Sequence, residues 1–298
     1  MTDTILLAGA TGDLGGRIAK ALARERAAFR VLVRPGTARE RVAPLEILGA
    51  EVRAVDFDDA AGLREACTGA SCVVSALSGL RPVIVEAQAA LAEAAVAAGV
   101  PRFIPSDFSI DFTRLGGLPN RNFDLRRAFR ERLERMPIRA TSVFNGAFMD
   151  MLGGQMPLVV PAIRRVVYWG DPDVRYDMTT MDDTAAFTVR AALDPETPRD
   201  LHIAGDAPSP RDLAAAMGAV TGQRYRLLRA GSVDRLQRLI RLTRRLAPQE
   251  RAVFPAWQGM QYLRDMASGR AACGPIDNGR YAGLRWTTAA EVLKGAFG

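Results

Sequence analysis

Histidine, lysine and cysteine are scarce in this chain of 298 residues. It contains one histidine, two lysines and three cysteines, which are Cys67, Cys72 and Cys273. An odd number of cysteines without Cys-x-x-Cys spacing favours neither a disulfide framework nor a zinc site. We therefore expect no metal ion and a reducing, cytoplasmic setting.

Long apolar runs are missing as well. The most apolar predicted helix, over residues 83–99, contains Glu86, Gln88 and Glu93, so it is a poor candidate for a membrane span. A secretory signal is not expected either, because no basic segment with a long apolar run precedes the first predicted strand. These absences predict a soluble protein without a membrane partner.

The positive charge of the chain comes almost entirely from arginine, and the net charge is +7. We expect no nucleic-acid partner, because the sequence has no basic cluster interleaved with aromatic residues and no helix-turn-helix, zinc-finger or RNP-like pattern. The most basic stretch, residues 232–251, has Leu236, Leu239, Ile240 and Leu246 at helical spacing. It fits an acidic partner or an anionic membrane surface, but we favour a packed helix with a solvated basic face.

A glycine-rich turn lies near the N-terminus, between an apolar run over residues 5–8 and a stretch with helical spacing. Its glycines, Gly9, Gly12 and Gly15, have the spacing Gly-x-x-Gly-x-x-Gly. Such glycines also occur in ordinary turns. Between a strand and a helix, however, they let the chain reverse, let the backbone approach a pyrophosphate and let the helix pack closely on the strand. The helix N-terminus then offers N–H groups and a positive dipole end to the phosphates. This context predicts a dinucleotide-binding site.

Arg34 follows the second predicted strand, over residues 29–33. In sites of this design an acidic residue about 20 residues beyond the glycines binds the ribose of NAD, whereas an arginine accommodates the 2′-phosphate of NADP. Arg34 therefore predicts NADP as the cofactor, with Thr37 as a hydroxyl donor and Arg39 as a second cation. The alternative is a solvated surface arginine in an arginine-rich chain.

Strands and helices alternate over the first half of the chain. The predicted strands cover residues 5–8, 29–33, 51–55, 72–76, 102–105 and 139–144. This alternation predicts an α/β fold with a doubly wound parallel Rossmann sheet, whose ligands lie outside the carboxyl ends of the strands. The predicted cofactor contacts are the residues at those ends: Gly9, Thr11, Gly12, Asp13, Leu14, Gly15, Arg34, Thr37, Asp56, Phe57, Ala76, Leu77, Ser78, Pro105, Ser106, Asp107 and Phe108.

The second half of the chain has a weaker pattern. Residues 166–169 and 175–179 predict a hairpin beyond the main sheet. Asp182 or Asp183 is expected to cap a helix that ends at Leu193. The single histidine, His202, lies among apolar residues of a short predicted strand, where a structural position is favoured over a catalytic one.

The chain resembles the NmrA-like group of atypical short-chain dehydrogenases, the relatives of isoflavone and phenylcoumaran benzylic ether reductases. The matching motifs are Gly-Ala-Thr-Gly-Asp-Leu-Gly at 9–15, Val-Leu-Val-Arg at 31–34, Phe-Ile-Pro-Ser-Asp-Phe at 103–108 and Asn-Gly-Ala-Phe at 145–148. The resemblance implies an NADP-binding Rossmann domain over residues 1–150, with a returning strand near residues 200–205. It also implies a smaller, mainly C-terminal substrate domain over residues 151–298.

One departure from this group concerns the catalytic residue. Its reductases carry a catalytic lysine on the helix after the fifth strand, and the matching residue here is Arg126. The Tyr-x-x-x-Lys pair of ordinary short-chain dehydrogenases is missing too. Because arginine stays protonated, it orients and stabilises anions instead of exchanging protons. We therefore expect Arg126 to stabilise an oxyanion while water supplies the proton, and Asn145 or Ser106 to offer hydrogen bonds.

The predicted function follows from these residues together. A site without a proton donor suits an acceptor whose hydride adduct is already stable, such as a quinone, an enone or a cationic dye, and an aromatic carbonyl also fits. Phe148, Met149 and Trp257 are the expected contacts of this small apolar or aromatic substrate. We expect an NADPH-dependent oxidoreductase. The alternatives are an NADP-binding redox-sensing regulator that acts through a protein partner without turnover, and an epimerase-like or isomerase-like use of NADP. The sequence leaves open a homodimer.

Overall fold

The computed structural model describes residues 4–154, 156, 158–272 and 274–298. The chain forms two compact units. The first unit consists of Met1–Phe108, Asn122–Val143 and Thr184–Leu201, and the second of Ser109–Arg121, Phe144–Asp183 and His202–Gly298. Neither unit is therefore one continuous stretch of the chain.

The strands and helices have the following bounds in the described residues. The strands are β1 (Thr4–Ala8), β2 (Ala28–Val33), β3 (Glu51–Ala54), β4 (Ala70–Ser75), β5 (Arg102–Ile104), β6 (Arg139–Ala140), β7 (Ser142–Phe144), β8 (Ala147–Phe148), β9 (Val159–Val160), β10 (Arg165–Trp169), β11 (Met178–Thr179), β12 (Asp200–His202) and β13 (Arg226–Gly231). The α-helices are α1 (Asp13–Arg24), α2 (Arg39–Ile47), α3 (Ala60–Cys67), α4 (Gln88–Ala97), α5 (Arg121–Leu133), α6 (Met181–Leu193), α7 (Pro210–Thr221), α8 (Val233–Leu246), α9 (Ala256–Ala267) and α10 (Ala289–Phe297).

A parallel sheet with the strand order β3-β2-β1-β4-β5-β6 forms the centre of the first unit. Its central strands β1 and β4 are mostly apolar and are buried at all but one position each, as expected where helices cover both faces of a parallel sheet. Ile5, Leu6 and Leu7 of β1 are fully buried. The strand order reverses between β1 and β4, which is where α/β sheets of this kind bind ligands. The predicted doubly wound α/β fold is confirmed.

Three elements of the first unit differ from the prediction. The sixth predicted strand is split, because β6 ends at Ala140 and β7 begins at Ser142. The helix predicted after β4 begins with a π-helical turn, Pro82–Ala87, before α4. Helix α2 was not predicted, because only Val42 and Leu45 of its side chains are buried and the apolar period is weak.

The second unit contains short strands whose pairing the sequence did not predict. Strand β10 pairs in parallel with β13 and antiparallel with β9. Strand β11 pairs instead with β8. The predicted hairpin of residues 166–169 and 175–179 is therefore wrong, because alternation of side chains predicts a strand but does not identify its partner.

The cap of α6 also differs from the prediction. The backbone N–H of Asp183 donates to the Thr180 hydroxyl oxygen at 3.1 Å, so Thr180 supplies the capping side chain in place of Asp182 or Asp183. Within the described ranges, none of the helices combines the length and apolarity that crossing a membrane requires. The same ranges contain no group of three or more side chains that could hold a metal ion.

Candidate functional site

Gly9 places the glycine-rich turn directly against the end of β4. It follows β1 with φ of +85°, in the left-handed region that favours glycine. A Cβ atom at this position would lie 2.6 Å from the carbonyl oxygen of Ala76. The turn therefore crosses the sheet edge where the strand order reverses, with bare backbone exposed to a ligand.

Gly12 and Gly15 allow α1 to begin directly after the glycine-rich turn and to pack closely against it. The Gly12 N–H donates to the Gly9 carbonyl at 2.9 Å, and α1 begins one residue later. A Cβ atom at Gly15 would overlap the Gly9 carbonyl oxygen, so only glycine fits there. Asp13, in the first turn of α1, is paired with Arg17 at 2.9 Å. The geometry is that of an anion-binding helix N-terminus.

Arg34 lies exposed at the end of β2, where the sequence places the cation for the 2′-phosphate. The Thr37 hydroxyl donates to the Arg34 carbonyl at 2.6 Å and so closes the local turn. Because this bond uses its hydrogen, the hydroxyl can only accept a hydrogen bond from a ligand. Arg39 forms an ion pair with Glu46 at 2.6 Å. Arg34 is therefore better placed than Arg39 to bind an anion.

Arg41 is a candidate cofactor contact that the sequence analysis missed. Its guanidinium donates to the carbonyl of Thr11, within the glycine-rich turn, at 2.9 Å. The contact joins the first turn of α2 to the glycine-rich turn. A usable signal in the sequence was a third arginine after Arg34 and Arg39, but it carries weight only once α2 is recognised as a helix.

The residues that follow β3 lie at the same edge of the sheet, where the parallel strands end. Asp56 is exposed, and its Oδ1 accepts from the Asp58 N–H at 3.3 Å. Phe57 is partly buried against the core of the first unit. Asp59 caps α3 by accepting from the Gly62 N–H at 2.9 Å. Asp59 thus caps the helix, while the exposed Asp56 and Asp58 are accessible to a ligand at this end.

Ser106 connects the end of β4 to the end of β5. Its hydroxyl donates to the Leu77 carbonyl at 2.7 Å, and its N–H donates to Oε1 of the fully buried Gln88 at 3.0 Å. These bonds fix the chain between Pro105 and Phe108, both of which are buried. Ser106 is thus a structural link between two strand ends, which leaves its predicted role as a donor to substrate less favoured.

Arg126 lies on α5 and points its guanidinium at the same strand end. Nε donates to the Ser106 carbonyl at 3.0 Å, and Nη1 donates to the Asn122 carbonyl at 3.2 Å. No partner for Nη2 is found in the part of the chain that the structure describes. A partly exposed guanidinium held by two carbonyls has a fixed orientation and a remaining donor, as a group that stabilises an anion requires.

Asp107, a predicted cofactor contact, is almost completely buried. Burial raises the pKa of its carboxyl group, although the Ser142 hydroxyl donates to Oδ2 at 2.6 Å and Arg126 lies near enough to act in the opposite direction. Ser142 in turn accepts from Arg199 at 2.7 Å. A buried carboxyl group held in this way suits a residue that supports the end of β5. Direct contact between Asp107 and the cofactor stays a prediction.

Asn145 lies in the second unit, at the turn between β7 and β8. Its N–H donates to the Ser109 carbonyl at 3.1 Å, and its carbonyl accepts from the Thr179 hydroxyl at 2.8 Å. Gly146 follows in the left-handed region, and a Cβ atom there would overlap the Asp177 carbonyl oxygen. The carboxamide is fully buried, and neither Oδ1 nor Nδ2 has a hydrogen-bond partner in the described structure. Since buried polar groups are nearly always paired, this amide is a candidate ligand-binding group.

The predicted substrate contacts in the second unit differ in exposure. Phe148, in β8, is partly exposed, whereas Met149 and Trp257 are fully buried. The Trp257 indole N–H donates to the Pro248 carbonyl at 2.7 Å, and two arginine guanidinium groups stack over its rings at 4.6 and 4.7 Å. Phe148 is therefore the one of these three with surface available to a ligand, and the substrate contacts stay predictions.

His202 packs within the second unit. Its Nε2 lies 2.9 Å from Oδ2 of Asp111, and its ring stacks on Phe144 with the ring centroids 5.3 Å apart. Burial acts to raise the pKa of Asp111, but hydrogen bonds from His202 and Thr113 outweigh burial, and the pKa is lowered. These contacts favour the structural position predicted for His202.

Comparison with known proteins gives a consistent result at the level of family and fold. A model of the NmrA-like family matches residues 1–252. The chain is similar to pinoresinol reductase 1 of Arabidopsis thaliana, with 34% identity over 207 residues that span 65% of each chain. It is also similar to the phenylcoumaran benzylic ether reductase PT1 of Pinus taeda, with 32% identity over 206 residues, 65% of this chain and 66% of the relative.

A solved structure, AtPrR2 with NADP+ and (+)pinoresinol, has the same fold. Its TM-score is 0.83 at 24% sequence identity, and the match covers 99% of both chains. The sequence matches to the curated relatives thus span just under two thirds of their length, whereas the match of the fold extends over nearly the whole chain.

Proposed function

This chain belongs to the NmrA-like family, and we propose that it is an NADP-dependent oxidoreductase of the atypical short-chain dehydrogenase type. We propose that its acceptor is a small, apolar, aromatic molecule. Support comes from the similar proteins, which are reductases by name, and from AtPrR2, whose structure contains NADP+ and the aromatic compound pinoresinol.

The contact between Arg41 and Thr11 is the observation that carries the cofactor assignment. It places a guanidinium on the glycine-rich turn, while Arg34 lies at the neighbouring strand end. Arg34 and Arg41 would hold the 2′-phosphate, because guanidinium groups bind phosphate with charge-assisted, bidentate hydrogen bonds. The turn would hold the pyrophosphate at the N-terminus of α1, and Gly9 and Gly15 keep its shape, since Cβ atoms there would overlap the backbone of Ala76 and of Gly9. When bound, NADPH supplies the hydride.

Arg126 is the residue that we propose to act on the acceptor. Nε and Nη1 donate to backbone carbonyls, and Nη2 remains as a donor without a partner in the described residues. A fixed cation of this kind stabilises negative charge that develops on an acceptor oxygen. It does not deliver a proton at neutral pH, because arginine stays protonated. The proton therefore comes from water.

This arrangement selects among acceptors. Quinones and enones give anionic adducts that Arg126 can hold, and a cationic dye becomes neutral without needing a proton. An aromatic carbonyl also fits if water protonates its alkoxide. We propose that the amide of Asn145 hydrogen-bonds the acceptor, because its Oδ1 and Nδ2 both lack partners in the described residues. The amide is fully buried, so this contact requires the residues that cover it to move when the acceptor binds.

A panel of acceptors tests the proposed function. The pure protein is mixed with NADPH, and nicotinamide absorbance is followed while quinones, enones, aromatic aldehydes and cationic dyes are added in turn. Saturable oxidation of NADPH by one class supports the proposal and identifies the acceptor. The absence of oxidation with every class contradicts it.

A redox-sensing regulator is the second candidate function. The observation in its favour is the absence of a lysine at the position of Arg126 and of a Tyr-x-x-x-Lys pair. A regulator of this kind is expected to bind NADPH tightly without transferring its hydride to an acceptor. The two candidates therefore differ in the outcome of the same experiment.

A further inference from the structure

Helix α8 has two apolar stripes instead of the one that its sequence predicts. Leu236 and Ile240 are buried in the second unit, where α8 packs against α9. Leu239, Leu242 and Leu246 lie on another side of the helix and are 37%, 53% and 74% exposed. The prediction of a single packed stripe is therefore wrong for Leu239 and Leu246, because helical spacing does not reveal which stripe has a packing partner.

Four arginines of α8 lie near the exposed leucines. They are exposed and form no ion pair with any carboxylate of the described residues: Arg235, Arg238, Arg241 and Arg245. Arg244, by contrast, pairs with Glu250 at 2.9 Å. The one acidic residue of the helix is Asp234. We call the three exposed leucines and these four arginines the Leu–Arg face.

The leucines and arginines of this face are separated around the helix axis. Because an α-helix turns about 100° per residue, the three leucines fall in one sector. All the arginines of the face except Arg235 fall in the sector beside it. The exposed side of α8 is thus apolar over one half, while the other half has three arginines and the exposed Asp234 and is positively charged in sum. Phe254, in the segment between α8 and α9, adds a side chain that is 67% exposed.

We propose that the Leu–Arg face docks the protein on an anionic phospholipid surface, with α8 lying in the plane of the interface. A helix of this kind inserts its leucines at the boundary between headgroups and acyl chains, while its arginines reach the lipid phosphates. The positive charge of these arginines is complementary to the negative charge of the lipid phosphates. This contact replaces the solvated basic face that the sequence favoured.

A lipid surface suits this face better than an acidic protein does. The leucines project from an exposed helix surface, and a protein partner would need a groove that matches their spacing. A lipid surface deforms around side chains and requires no such shape. The proposal does not depend on the proposed reductase activity, because no residue of the face belongs to the candidate site.

Sedimentation with vesicles tests the proposal on the full-length protein. We expect binding to mixed phosphatidylcholine and phosphatidylglycerol vesicles and little binding to phosphatidylcholine alone. High salt should weaken it, since exposed charges are screened within about 10 Å at 0.1 M ionic strength. Equal binding to both kinds of vesicle, or binding to neither, overturns the proposal.

Two sets of variants locate the contact. The triple variant Arg238→Gln, Arg241→Gln, Arg245→Gln should lower the partition coefficient about a hundredfold, because each arginine near an anionic surface contributes about fivefold. The variant Leu242→Gln, Leu246→Gln should weaken binding while the salt dependence persists. The matched controls remove exposed groups of the first unit, with Arg24→Gln, Arg135→Gln, Arg139→Gln for charge and Ile47→Gln for apolar surface.

The controls also decide what covers the face. If both control variants lose as much vesicle binding as the α8 variants, the attraction is a property of the net charge, and the docking site is refuted. Light scattering gives a further outcome. If it shows a dimer that only the α8 variants dissociate, and these variants bind vesicles no more tightly than the unchanged protein does, a second copy of the chain covers the face instead.

Discussion

The guanidinium of Arg41 donates a hydrogen bond to the carbonyl of Thr11 at 2.9 Å, across 30 positions of the sequence. This bond brings a cation from α2 onto the turn that follows β1. Together with Arg34 it gives the edge of the sheet two guanidinium groups. Both residues are exposed, so both are accessible to a phosphate.

Replacing these arginines should change the cofactor preference. In Arg34→Gln and Arg41→Gln, we expect NADPH affinity to fall about tenfold or more each, because a hydrogen bond to a charged group contributes about 1.5–3 kcal/mol. NADH affinity should hardly change, since NADH has no 2′-phosphate. Binding titrations with both nucleotides measure this selectivity. Arg39→Gln is the matched control because Arg39 is paired with Glu46, and equal losses for both nucleotides would refute the assignment.

Gly15 and Gly16 should respond oppositely to alanine. A methyl group at Gly15 overlaps the Gly9 carbonyl, so we expect Gly15→Ala to destabilise the fold by about 1–3 kcal/mol. At Gly16 the nearest atom is 3.5 Å away, and Gly16→Ala should stabilise α1 by up to about 1 kcal/mol through helix propensity. Thermal unfolding without cofactor compares the two. Equal stability of both variants would contradict the close packing of turn and helix.

Arg126→Gln should lower turnover without weakening NADPH binding. The variant keeps hydrogen-bond donors but loses the charge that stabilises an oxyanion, so kcat should fall about a hundredfold, as when one oxyanion donor is removed. Arg127→Gln, on the same helix and paired with Asp124, is the control that should retain turnover. A normal kcat in the Arg126 variant would place the anion-stabilising group elsewhere.

Asn145→Leu should separate stability from activity. Leucine has nearly the same shape and removes two buried polar atoms that lack partners in the described chain. We therefore expect the unfolding temperature without ligands to stay level or rise, because an unsatisfied buried group costs about 1–3 kcal/mol. Reduction of the acceptor should be lost. A variant that is destabilised but retains full activity would show that Asn145 supports the fold only.

The parts of the fold that depend on neighbouring residues could be predicted from the sequence. Gly9 and Gly15 are needed because of atoms within the same turn and the adjacent strand end, and the alternation of strands with helices specifies the parallel sheet. The glycine spacing therefore predicted the turn, and the position of Arg34 predicted a cation at the end of β2.

Contacts between distant segments could not be predicted in the same way. Arg41 reaches Thr11 only because α2 packs where it does, and the weak apolar period of α2 concealed the helix. The partners of β10 and β11 are set by tertiary packing, which side-chain alternation does not encode. Whether the amide of Asn145 has a partner depends on all its neighbours at once, so it is visible only in the structure.

Transfer of deuterium from NADPH labelled at the reactive carbon of the nicotinamide shows directly whether the protein is a reductase. The protein is incubated with each of the two stereospecifically labelled forms and with each acceptor of the panel. We expect that, with one acceptor class, one labelled form gives NADP+ without deuterium and the other gives NADP+ that retains it. The transferred deuterium stays on carbon in the product of an enone or an aromatic carbonyl, whereas a hydroquinone exchanges it with water. If NADPH binds tightly but no acceptor converts either labelled form to NADP+, the protein is not a reductase, and a redox-sensing regulator explains the structure better.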